Sequence, residues 1–352
     1  MPHRVIVWGT GNVGVPALRI VLSNPALELA GVVVANPAKV GRDAGELCGM
    51  PATGVRATDD VAAAFAAGAD AVAYCASGDF RPTEAVDDIE RCLRAGLNVV
   101  STSIYPLYDP LSAPAELRDR IGAACTAGQA SIFVSGVDPG FINDVIPLLL
   151  SGLCERVDEL RAFEIFNYSS YAQEDAVRQL VGMGQPLDAT PPMLTPGVPS
   201  MVWGGPIRLM ARGLGLTLDD IRERVEKRPL PRTVTTQLGR FDEGTMGAFR
   251  LEIEGIVGGK PLLVVDHITR IVNDIALDWP RSKGDGAHGV ILTGRPNLTV
   301  TFEPEDDTGA AGGGNTTAAA RIVNAIPFVC QAPAGMLDAL QVPLPIGRGL
   351  VR

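Results

Sequence analysis

Long apolar segments and lysine are scarce in this chain of 352 residues. No segment holds about 18 consecutive apolar residues, the length that a membrane-spanning helix requires, so we expect no membrane partner. Acidic residues outnumber basic ones by 40 to 30, which gives a formal net charge of −10. Because nucleic-acid binding requires a basic surface field, this balance predicts a protein without a nucleic-acid partner.

Cysteine and histidine occur without the spacing that metal sites show. The six cysteines are scattered and form no CxxC pair, which is typical of reduced, mostly buried thiols. The three histidines (His3, His267 and His288) have no paired Cys/His spacing, so we expect no metal site. Glycine interrupts the first apolar run after four residues, unlike a signal peptide. These features predict a cytoplasmic protein.

The first 135 residues alternate short β-branched runs with helical stretches. The predicted strands are Val5–Trp8, Leu29–Val34, Asp70–Cys75, Asn98–Ser101 and Ser131–Val134, and the predicted helices are Asn12–Leu22, Arg81–Ala95 and Ala113–Ala127. This alternation predicts an α/β class with a doubly wound parallel sheet.

The second half has a different pattern, typical of an α+β domain with a mainly antiparallel sheet. Two β-rich runs, Phe249–Val257 and Lys260–Ile271, flank a glycine pair that suggests a two-residue hairpin. Residues 184–206 hold six Pro and four Gly, so we expect no regular structure there. We further expect a short helix over Leu218–Glu226, a disordered loop over residues 305–315, and a helix over Thr316–Val329.

One glycine-rich motif carries most of the functional information. The stretch Gly9-Thr10-Gly11-Asn12-Val13-Gly14 matches G-x-G-x-x-G directly after a strand and opens a helix. Gly9 permits the tight turn, Gly11 lets the backbone approach a pyrophosphate, and Gly14 allows close helix–strand packing. The N–H groups of the helix start then face the anion. We therefore predict a dinucleotide site, with a ligand-free glycine turn as the alternative.

The end of the second strand favours NADP over NAD. An acidic residue there would bind the ribose hydroxyls and repel a 2′-phosphate, but the chain has Asn36, followed by Lys39 and Arg42. An amide and two cations suit a phosphate. NAD remains possible, because Lys39 and Arg42 are equally consistent with solvated surface charges.

Small residues at the next strand ends leave room for a nicotinamide ribose, or simply fill tight turns. These candidates are Ala76, Ser77 and Thr102. The segment Ser135–Phe141 joins the two halves, and its Pro-Gly pair suggests a turn in which Gly140 has positive φ. Phe141, with Asn143 nearby, is a candidate wall for the substrate, and interdomain packing is the alternative.

Four segments together carry a family resemblance. They are VxxxGTGNVG at the start, Lys39–Glu46, Gly136–Phe141 and Arg321–Pro327. The combination resembles actinobacterial proteins with a dihydrodipicolinate reductase N-terminal domain, which are similar to 2,4-diaminopentanoate dehydrogenase and the native amine dehydrogenases. True dihydrodipicolinate reductases carry a His-His pair and a Lys motif that this chain lacks, so that activity is excluded.

The resemblance implies three parts and an activity. The parts are a Rossmann domain over residues 1–138, an α+β substrate and dimerisation domain over 139–314, and a C-terminal helix and tail over 315–352 that return to the Rossmann domain. The implied protein is a homodimer that acts on a small molecule. Its implied reaction is NAD(P)-linked hydride transfer to or from an apolar carbonyl, imine or amine.

The resemblance leaves the acid or base of the reaction unassigned. Amine dehydrogenases carry a Glu after the fifth strand that binds and deprotonates ammonia, whereas Val100–Pro106 here contains no carboxylate. We therefore expect little ammonia-dependent activity unless another carboxylate replaces that Glu. A non-catalytic dinucleotide sensor or scaffold is the alternative of a different class.

Several residues could supply the proton donor or base that hydride transfer requires. The catalytic candidates are Glu164, Tyr168 and His267, and the substrate-binding candidates include Tyr105 and Tyr171. Glu164 is the residue that could replace the absent carboxylate, and His267 has the side chain whose pKa lies nearest pH 7. Trp203 and Met201 suggest an apolar lid, or plain surface packing.

Overall fold

The computed structural model describes residues 1–79, 81–169, 171 and 174–350. The strands are β1 (His3–Trp8), β2 (Leu27–Val33), β3 (Ala57–Thr58), β4 (Ala71–Tyr74), β5 (Asn98–Ser101), β6 (Ser131–Val134), β7 (Arg156–Asn167), β8 (Asp220–Pro229), β9 (Val234–Thr236), β10 (Gly239–Phe241), β11 (Met246–Val257), β12 (Lys260–Arg270), β13 (Gly286–Arg295), β14 (Leu298–Phe302) and β15 (Gly335–Leu337). The helices are α1 (Gly14–Ser23), α2 (Ala44–Cys48), α3 (Val61–Ala66), α4 (Pro82–Arg94), α5 (Ala115–Gly128), α6 (Val145–Ser151), α7 (Val198–Gly213), α8 (Ala310–Val323) and α9 (Ile326–Val329). The chain forms two compact units, Met1–Val137 with Asn315–Arg352, and Asp138–Gly314.

The first unit is built on a seven-stranded sheet with the order β15-β6-β5-β4-β1-β2-β3. Its paired strands run parallel. Side chains alternate across β1, so Val5 and Val7 join one core cluster while Ile6 and Trp8 join the other. Helices α1, α2, α8 and α9 contribute to the first cluster, and α3, α4 and α5 contribute to the second. The prediction of a doubly wound α/β sheet is confirmed.

The second unit contains a six-stranded sheet with the order β14-β13-β7-β12-β11-β8. The pair β7–β12 is parallel and the other four pairs are antiparallel, as the predicted α+β class requires. Strands β11 and β12 are joined by Gly258 and Gly259, whose φ angles are +59° and +77°. Positive φ at both central residues is what a type I′ hairpin needs, so the glycine-pair prediction is confirmed. A small hairpin of β9 and β10 completes the sheets.

Two predictions for the segment between β7 and β11 are wrong. Helix α7 begins at Val198, inside the stretch predicted to be irregular, because ten of its residues are buried and packing overrides the low helix propensity of Pro and Gly. The predicted helix over Leu218–Glu226 is instead strand β8, paired with β11. Exposed Asp220, Arg222 and Arg224 alternate with half-buried Ile221 and Glu223, which is the period of two that a strand shows.

The predicted disordered loop over residues 305–315 is largely helical. Helix α8 starts at Ala310, after a turn closed by hydrogen bonds between Asp306 and Gly309. A Cβ atom on Gly313 would lie 2.5 Å from the backbone of Pro304, so this glycine allows the helix to pack closely against the preceding chain. The predicted helix over Thr316–Val329 is divided into α8 and α9, and Pro327 lies in the first turn of α9.

No helix among the described residues is both long and apolar enough to cross a lipid bilayer.

Candidate active site

The glycine turn of the first unit has the geometry of a dinucleotide site. Gly9 has a φ of +95°, and a Cβ atom on Gly14 would lie 2.0 Å from the carbonyl oxygen of Gly9. A Cβ atom on Gly11 would meet nothing within 4 Å. The first helical hydrogen bonds run from Val15 N to Gly11 O and from Ala17 N to Val13 O. The N–H groups that come before Val15 therefore take no part in the hydrogen bonds of the helix itself. The turn fits a pyrophosphate, with open space in front of Gly11.

The three residues expected to recognise a 2′-phosphate follow β2, which neighbours β1. Lys39 reaches the glycine turn, where its Nζ donates to the carbonyl of Thr10 at 2.7 Å and to the Thr10 hydroxyl at 3.1 Å. Asn36 accepts a hydrogen bond from Ala38 N at 2.9 Å, which caps the loop. The half-exposed Arg42 lies 3.8 Å from Glu46. The structure therefore places a lysine at the turn, and the arginine follows in the same loop.

The ends of β4 and β5 carry a polar network that includes the predicted Ser77 and Tyr105. Both hydroxyls donate to Asp79, at 3.0 Å and 2.8 Å respectively. The Ala76 carbonyl accepts from Ser103, and the Thr102 carbonyl accepts from Tyr108. The sequence prediction missed Asp79, since it considered the strand ends separately.

The second unit gathers three titratable side chains by strand register. Glu164 on β7 is the register partner of His267 on β12 and of His288 on β13, so all three project from the same face of the sheet. The Glu164 Oε1 atom lies 3.2 Å from His267 Nδ1, and its Oε2 atom lies 3.4 Å from His288 Nδ1. The Glu164 side chain is 12% exposed. The predicted catalytic residues Glu164 and His267 are thus in contact. His288, which was not predicted as a site residue, contacts Glu164 as well.

Asp138 brings a second carboxylate to this cluster. It precedes the turn at Gly140, whose φ is +135° as predicted, although its ψ of −123° is not that of a type II turn. Trp203 Nε1 donates to Asp138 Oδ1 at 2.5 Å. Ligand atoms of Asp138, Glu164 and His288 all lie within 4.8 Å of one another. Trp203 is therefore a buried hydrogen-bond donor, and the prediction that it forms part of a lid is wrong. Met201, the other residue of that prediction, has a side chain that is 49% exposed.

Both histidines are neutral acceptors. Aromatic rings surround them, with Trp203 and Phe249 at centroid distances of 5.1 and 5.7 Å from His267, and Phe166 and Phe302 at 5.2 Å from His288. Burial lowers the pKa of His267 to about 4. Burial, with His267 nearby, lowers the pKa of His288 to about 3. Near neutral pH each ring therefore keeps one nitrogen lone pair.

The two carboxyl groups have different proton affinities. Burial raises the pKa of Asp138 to about 6, against the hydrogen bond from Trp203 that favours the ionised form. Burial, together with the charge of Asp138, raises the pKa of Glu164 well above its ordinary value. Close to pH 7, Asp138 is therefore mainly ionised, and the raised pKa of Glu164 makes its carboxylate a stronger base than that of an ordinary glutamate. Such a pair is typical of acid–base sites.

The cluster has buried polar atoms that lack a hydrogen bond. Within the described residues, Asp138 Oδ2, Asn143 Nδ2, His267 Nδ1 and both ring nitrogens of His288 have no hydrogen-bond partner. Leaving such groups unsatisfied costs about 1–3 kcal/mol each. The arrangement is therefore suited to a cation, either one with several N–H groups or a metal ion. The expectation of no metal site rested on spacing along the chain, and this cluster comes from four distant segments.

The remaining predicted residues surround this cluster. Thr269 Oγ1 lies 3.0 Å from His267 Nε2. Tyr171 stacks on Tyr168 with a centroid distance of 4.7 Å. Phe141 is half-buried and close in sequence to Asn143, whose side-chain oxygen accepts a hydrogen bond from Gly140 N at 3.2 Å. The structure therefore brings Glu164 and His267 into contact, with Tyr168 close enough that burial and the charge of Glu164 raise the pKa of its phenol, whereas Tyr105 belongs to the other unit.

A dinucleotide-binding doubly wound unit, followed by a unit with a buried acid–base cluster, defines an NAD(P)-dependent oxidoreductase. Residues 141–350 match the 2,4-diaminopentanoate dehydrogenase C-terminal domain, and residues 3–103 match the dihydrodipicolinate reductase N-terminus. The chain belongs to the family of 2,4-diaminopentanoate dehydrogenase and its amine dehydrogenase relatives. The non-catalytic sensor or scaffold is therefore excluded.

Two curated relatives extend over nearly the whole chain. It is 55% identical to an amine dehydrogenase of Streptomyces virginiae over 344 residues, 96% of each protein. It is 25% identical to the 2,4-diaminopentanoate dehydrogenase of Acetoanaerobium sticklandii over 355 residues, 97% of this chain and 94% of that protein. The structure of an amine dehydrogenase from Mycobacterium smegmatis shares the fold, with a TM-score of 0.76 at 21% identity over 99% of this chain and 98% of that one.

Proposed function

We propose that this enzyme is an amine dehydrogenase that interconverts a small or medium apolar primary amine with the corresponding carbonyl compound and ammonium. The observation that carries this proposal is the buried, unsatisfied Oδ2 atom of Asp138 beside Glu164 and His288. A carbonyl oxygen has no proton to donate to a carboxylate, and each neutral imidazole nearby adds one nitrogen lone pair. An ammonium group supplies up to four N–H donors and one positive charge, which ionised Asp138 balances.

The balanced reaction defines what the cluster has to do. In the oxidative direction, R₂CH–NH₃⁺ + NAD(P)⁺ + H₂O gives R₂C=O + NH₄⁺ + NAD(P)H + H⁺. Asp138 holds the ammonium by charge, and Glu164 takes one of its protons so that the nitrogen gains the lone pair that carbon–hydrogen cleavage needs. When bound, the nicotinamide accepts the hydride. Glu164 then exchanges protons with the water that adds to the iminium carbon and with the ammonia that leaves.

This proposal revises the expectation of little ammonia-dependent activity. That expectation rested on the missing Glu after the fifth strand, and Val100–Pro106 indeed lacks a carboxylate. Glu164 supplies a carboxyl group from β7 instead, and Asp138 supplies a second one beside it. The 55% identity to an amine dehydrogenase supports the amine over a plain carbonyl or imine.

The deciding experiment is an assay of the purified enzyme with NADPH or NADH and a panel of apolar aldehydes and ketones, with and without ammonium. We expect nicotinamide oxidation to require ammonium and the product to be an amine. Oxidation that is independent of ammonium, with an alcohol as product, would show a carbonyl reductase instead. Each assay is run with and without a chelator, because loss of activity on its addition would assign the cluster to a metal ion.

We propose NADP as the preferred cofactor, since Lys39 contacts the glycine turn and Arg42 follows in the same loop. Replacing both by alanine should lower NADP affinity about tenfold or more, because a well-aligned phosphate contact contributes about 1–3 kcal/mol. NAD affinity should be little changed, since NAD has no 2′-phosphate. Titration of both cofactors measures the effect, and equal losses for the two would contradict the assignment.

The pKa of Asp138, raised to about 6 by burial, predicts a pH dependence. Above that value Asp138 is ionised and binds the substrate ammonium, and below it the charge is lost. We therefore expect kcat/KM for amine oxidation to fall about tenfold per pH unit below about pH 6. In Asp138→Asn this limb should disappear and kcat/KM at higher pH should fall. An acid limb that persists unchanged in the variant would assign it to another group, such as Glu164.

We also propose that the enzyme works as a homodimer in the cytoplasm. The dimer is inferred from the family resemblance, and size-exclusion chromatography with light scattering tests it. All six cysteines are free, and four of them are buried, which suits a reducing compartment.

A further inference from the structure

The loop that follows β12 wraps around a buried guanidinium group. Arg270, the last residue of β12, is only 3% exposed. Its Nε atom donates to the carbonyl of Ile275 at 3.1 Å. Its Nη2 atom donates to three further carbonyls, those of Ala276, Trp279 and Pro280, at 3.0, 3.3 and 2.9 Å. Because Ala276 has a φ of +49°, which is uncommon for a residue other than glycine, the loop is held in a special conformation around this cation.

Arg270 is buried without a carboxylate partner. Among the residues that the structure describes, no salt bridge reaches its guanidinium group, and its four hydrogen bonds use Nε and Nη2 and leave Nη1 unused. Burial and the positive charge of Arg281 lower the pKa of Arg270, while Asp278 acts in the opposite direction. A buried charge without an ionised partner costs free energy, so an anion beside this group would be stabilising.

A polar recess of about 50 Å³ lies next to Arg270. Its lining includes three cationic side chains, those of Arg270, Arg281 and Lys283. Arg281 and Lys283 are exposed, and neither forms a salt bridge within the described part of the chain. One water molecule needs about 10–15 Å³, so the recess has room for an ion of several non-hydrogen atoms.

The acidic side chains near the recess have other partners. Glu303 accepts hydrogen bonds from two backbone N–H groups of the loop, at 3.1 and 3.2 Å. Asp285 accepts hydrogen bonds from two side-chain amides, at 3.1 and 2.7 Å. Asp278 pairs with Arg228 at 3.1 Å. The three positive charges of the recess are therefore not matched by these carboxylates.

We propose that the recess lined by Arg270, Arg281 and Lys283 binds a phosphate group, either the free ion or the phosphoryl group of a monoester. Two guanidinium groups and one ammonium group supply the positive charge and the N–H donors that phosphate oxygens accept. The unused Nη1 atom of Arg270 is the donor at the buried end, and the two exposed cations supply charge at the solvent side. This site belongs to the second unit alone, and it is independent of the proposed amine dehydrogenase reaction.

The test is calorimetric titration of the full-length protein with inorganic phosphate at constant ionic strength. Excess NADPH is present throughout, because the glycine turn of the first unit could otherwise bind phosphate as well. We expect one saturable site per chain and a melting temperature that rises with phosphate concentration. Since the formal net charge of the chain is −10, non-specific binding of an anion is disfavoured.

Two double variants with the same net charge make the result specific. Arg281→Gln with Lys283→Gln should lower phosphate affinity at least 100-fold, because each charge-assisted contact contributes about tenfold or more. Arg295→Gln with Lys260→Gln replaces two exposed cations elsewhere in the second unit, and it should bind phosphate as the wild type does. Both pairs are exposed, so both variants should fold.

Three results would overturn the site: no saturable phosphate binding in the presence of NADPH, equal affinity in the two double variants, or tighter binding of acetate than of phosphate. Glycerol 3-phosphate is titrated in parallel with inorganic phosphate. Tighter binding of the ester identifies a monoester as the ligand, tighter binding of the inorganic ion identifies free phosphate, and either supports the site. None of these measurements follows turnover, so their failure would leave the proposed amine dehydrogenase reaction unaffected.

Discussion

Replacing Glu164 by glutamine is expected to reduce ammonium-dependent turnover by about 10²–10⁴, the usual contribution of a positioned general base. Glutamine keeps the size and hydrogen-bonding capacity of the side chain but cannot take a proton from the substrate ammonium. Asp138 still provides a charge, so the KM for the amine should change less than kcat. Initial rates with and without ammonium, with NADPH consumption followed by absorbance, measure the effect.

Two further variants make the Glu164 result specific. Glu155→Gln changes an exposed carboxylate that pairs with Arg295 near the start of β7, and it should behave as the wild type. Ile104→Glu places a carboxylate after the fifth strand, where the resembling amine dehydrogenases carry their Glu. We expect amination to proceed without this added carboxylate. If amination survives in Glu164→Gln, or appears only in Ile104→Glu, the role assigned to Glu164 is wrong.

Gly11→Val is expected to lower dinucleotide affinity at least 100-fold while the protein stays folded. A Cβ atom on Gly11 meets nothing within 4 Å, so the free protein accommodates the larger side chain. That open space lies in front of the N–H groups at the start of α1, where the pyrophosphate binds. Losing two hydrogen bonds to a charged group, at about 1.5–3 kcal/mol each, corresponds to at least 100-fold.

Gly14→Ala provides the contrast, because this glycine serves packing rather than ligand access. Its Cβ atom would lie 2.0 Å from the carbonyl oxygen of Gly9, so the turn has to move. We expect destabilisation of about 1–3 kcal/mol or more, seen as a lower melting temperature without ligand. Cofactor titration and thermal melting of both variants distinguish the two roles. Unchanged cofactor affinity in Gly11→Val would move the binding site elsewhere.

The first unit could be predicted well from the sequence because its signals are local. Short β-branched runs between helical stretches indicate parallel strands. Each of the three glycines in the six-residue motif Gly9–Gly14 is required by the local backbone conformation or by a close approach. Gly9 has positive φ, Gly14 has no room for a side chain and Gly11 faces open space, as expected. The second unit was harder, since the burial of α7 and the pairing of β8 depend on partners distant in sequence.

The sequence by itself determined the two-part organisation, the dinucleotide turn and the presence of Glu164, Tyr168 and His267 as candidates for acid–base chemistry. Only the tertiary structure decided how they act together. Strand register places His267 and His288 on either side of Glu164, and the turn at Gly140 brings Asp138 and the Trp203 donor to the same place. Register and burial arise from contacts between segments more than 100 residues apart, such as Glu164 and His267. These contacts set the pKa values that local periodicity does not encode.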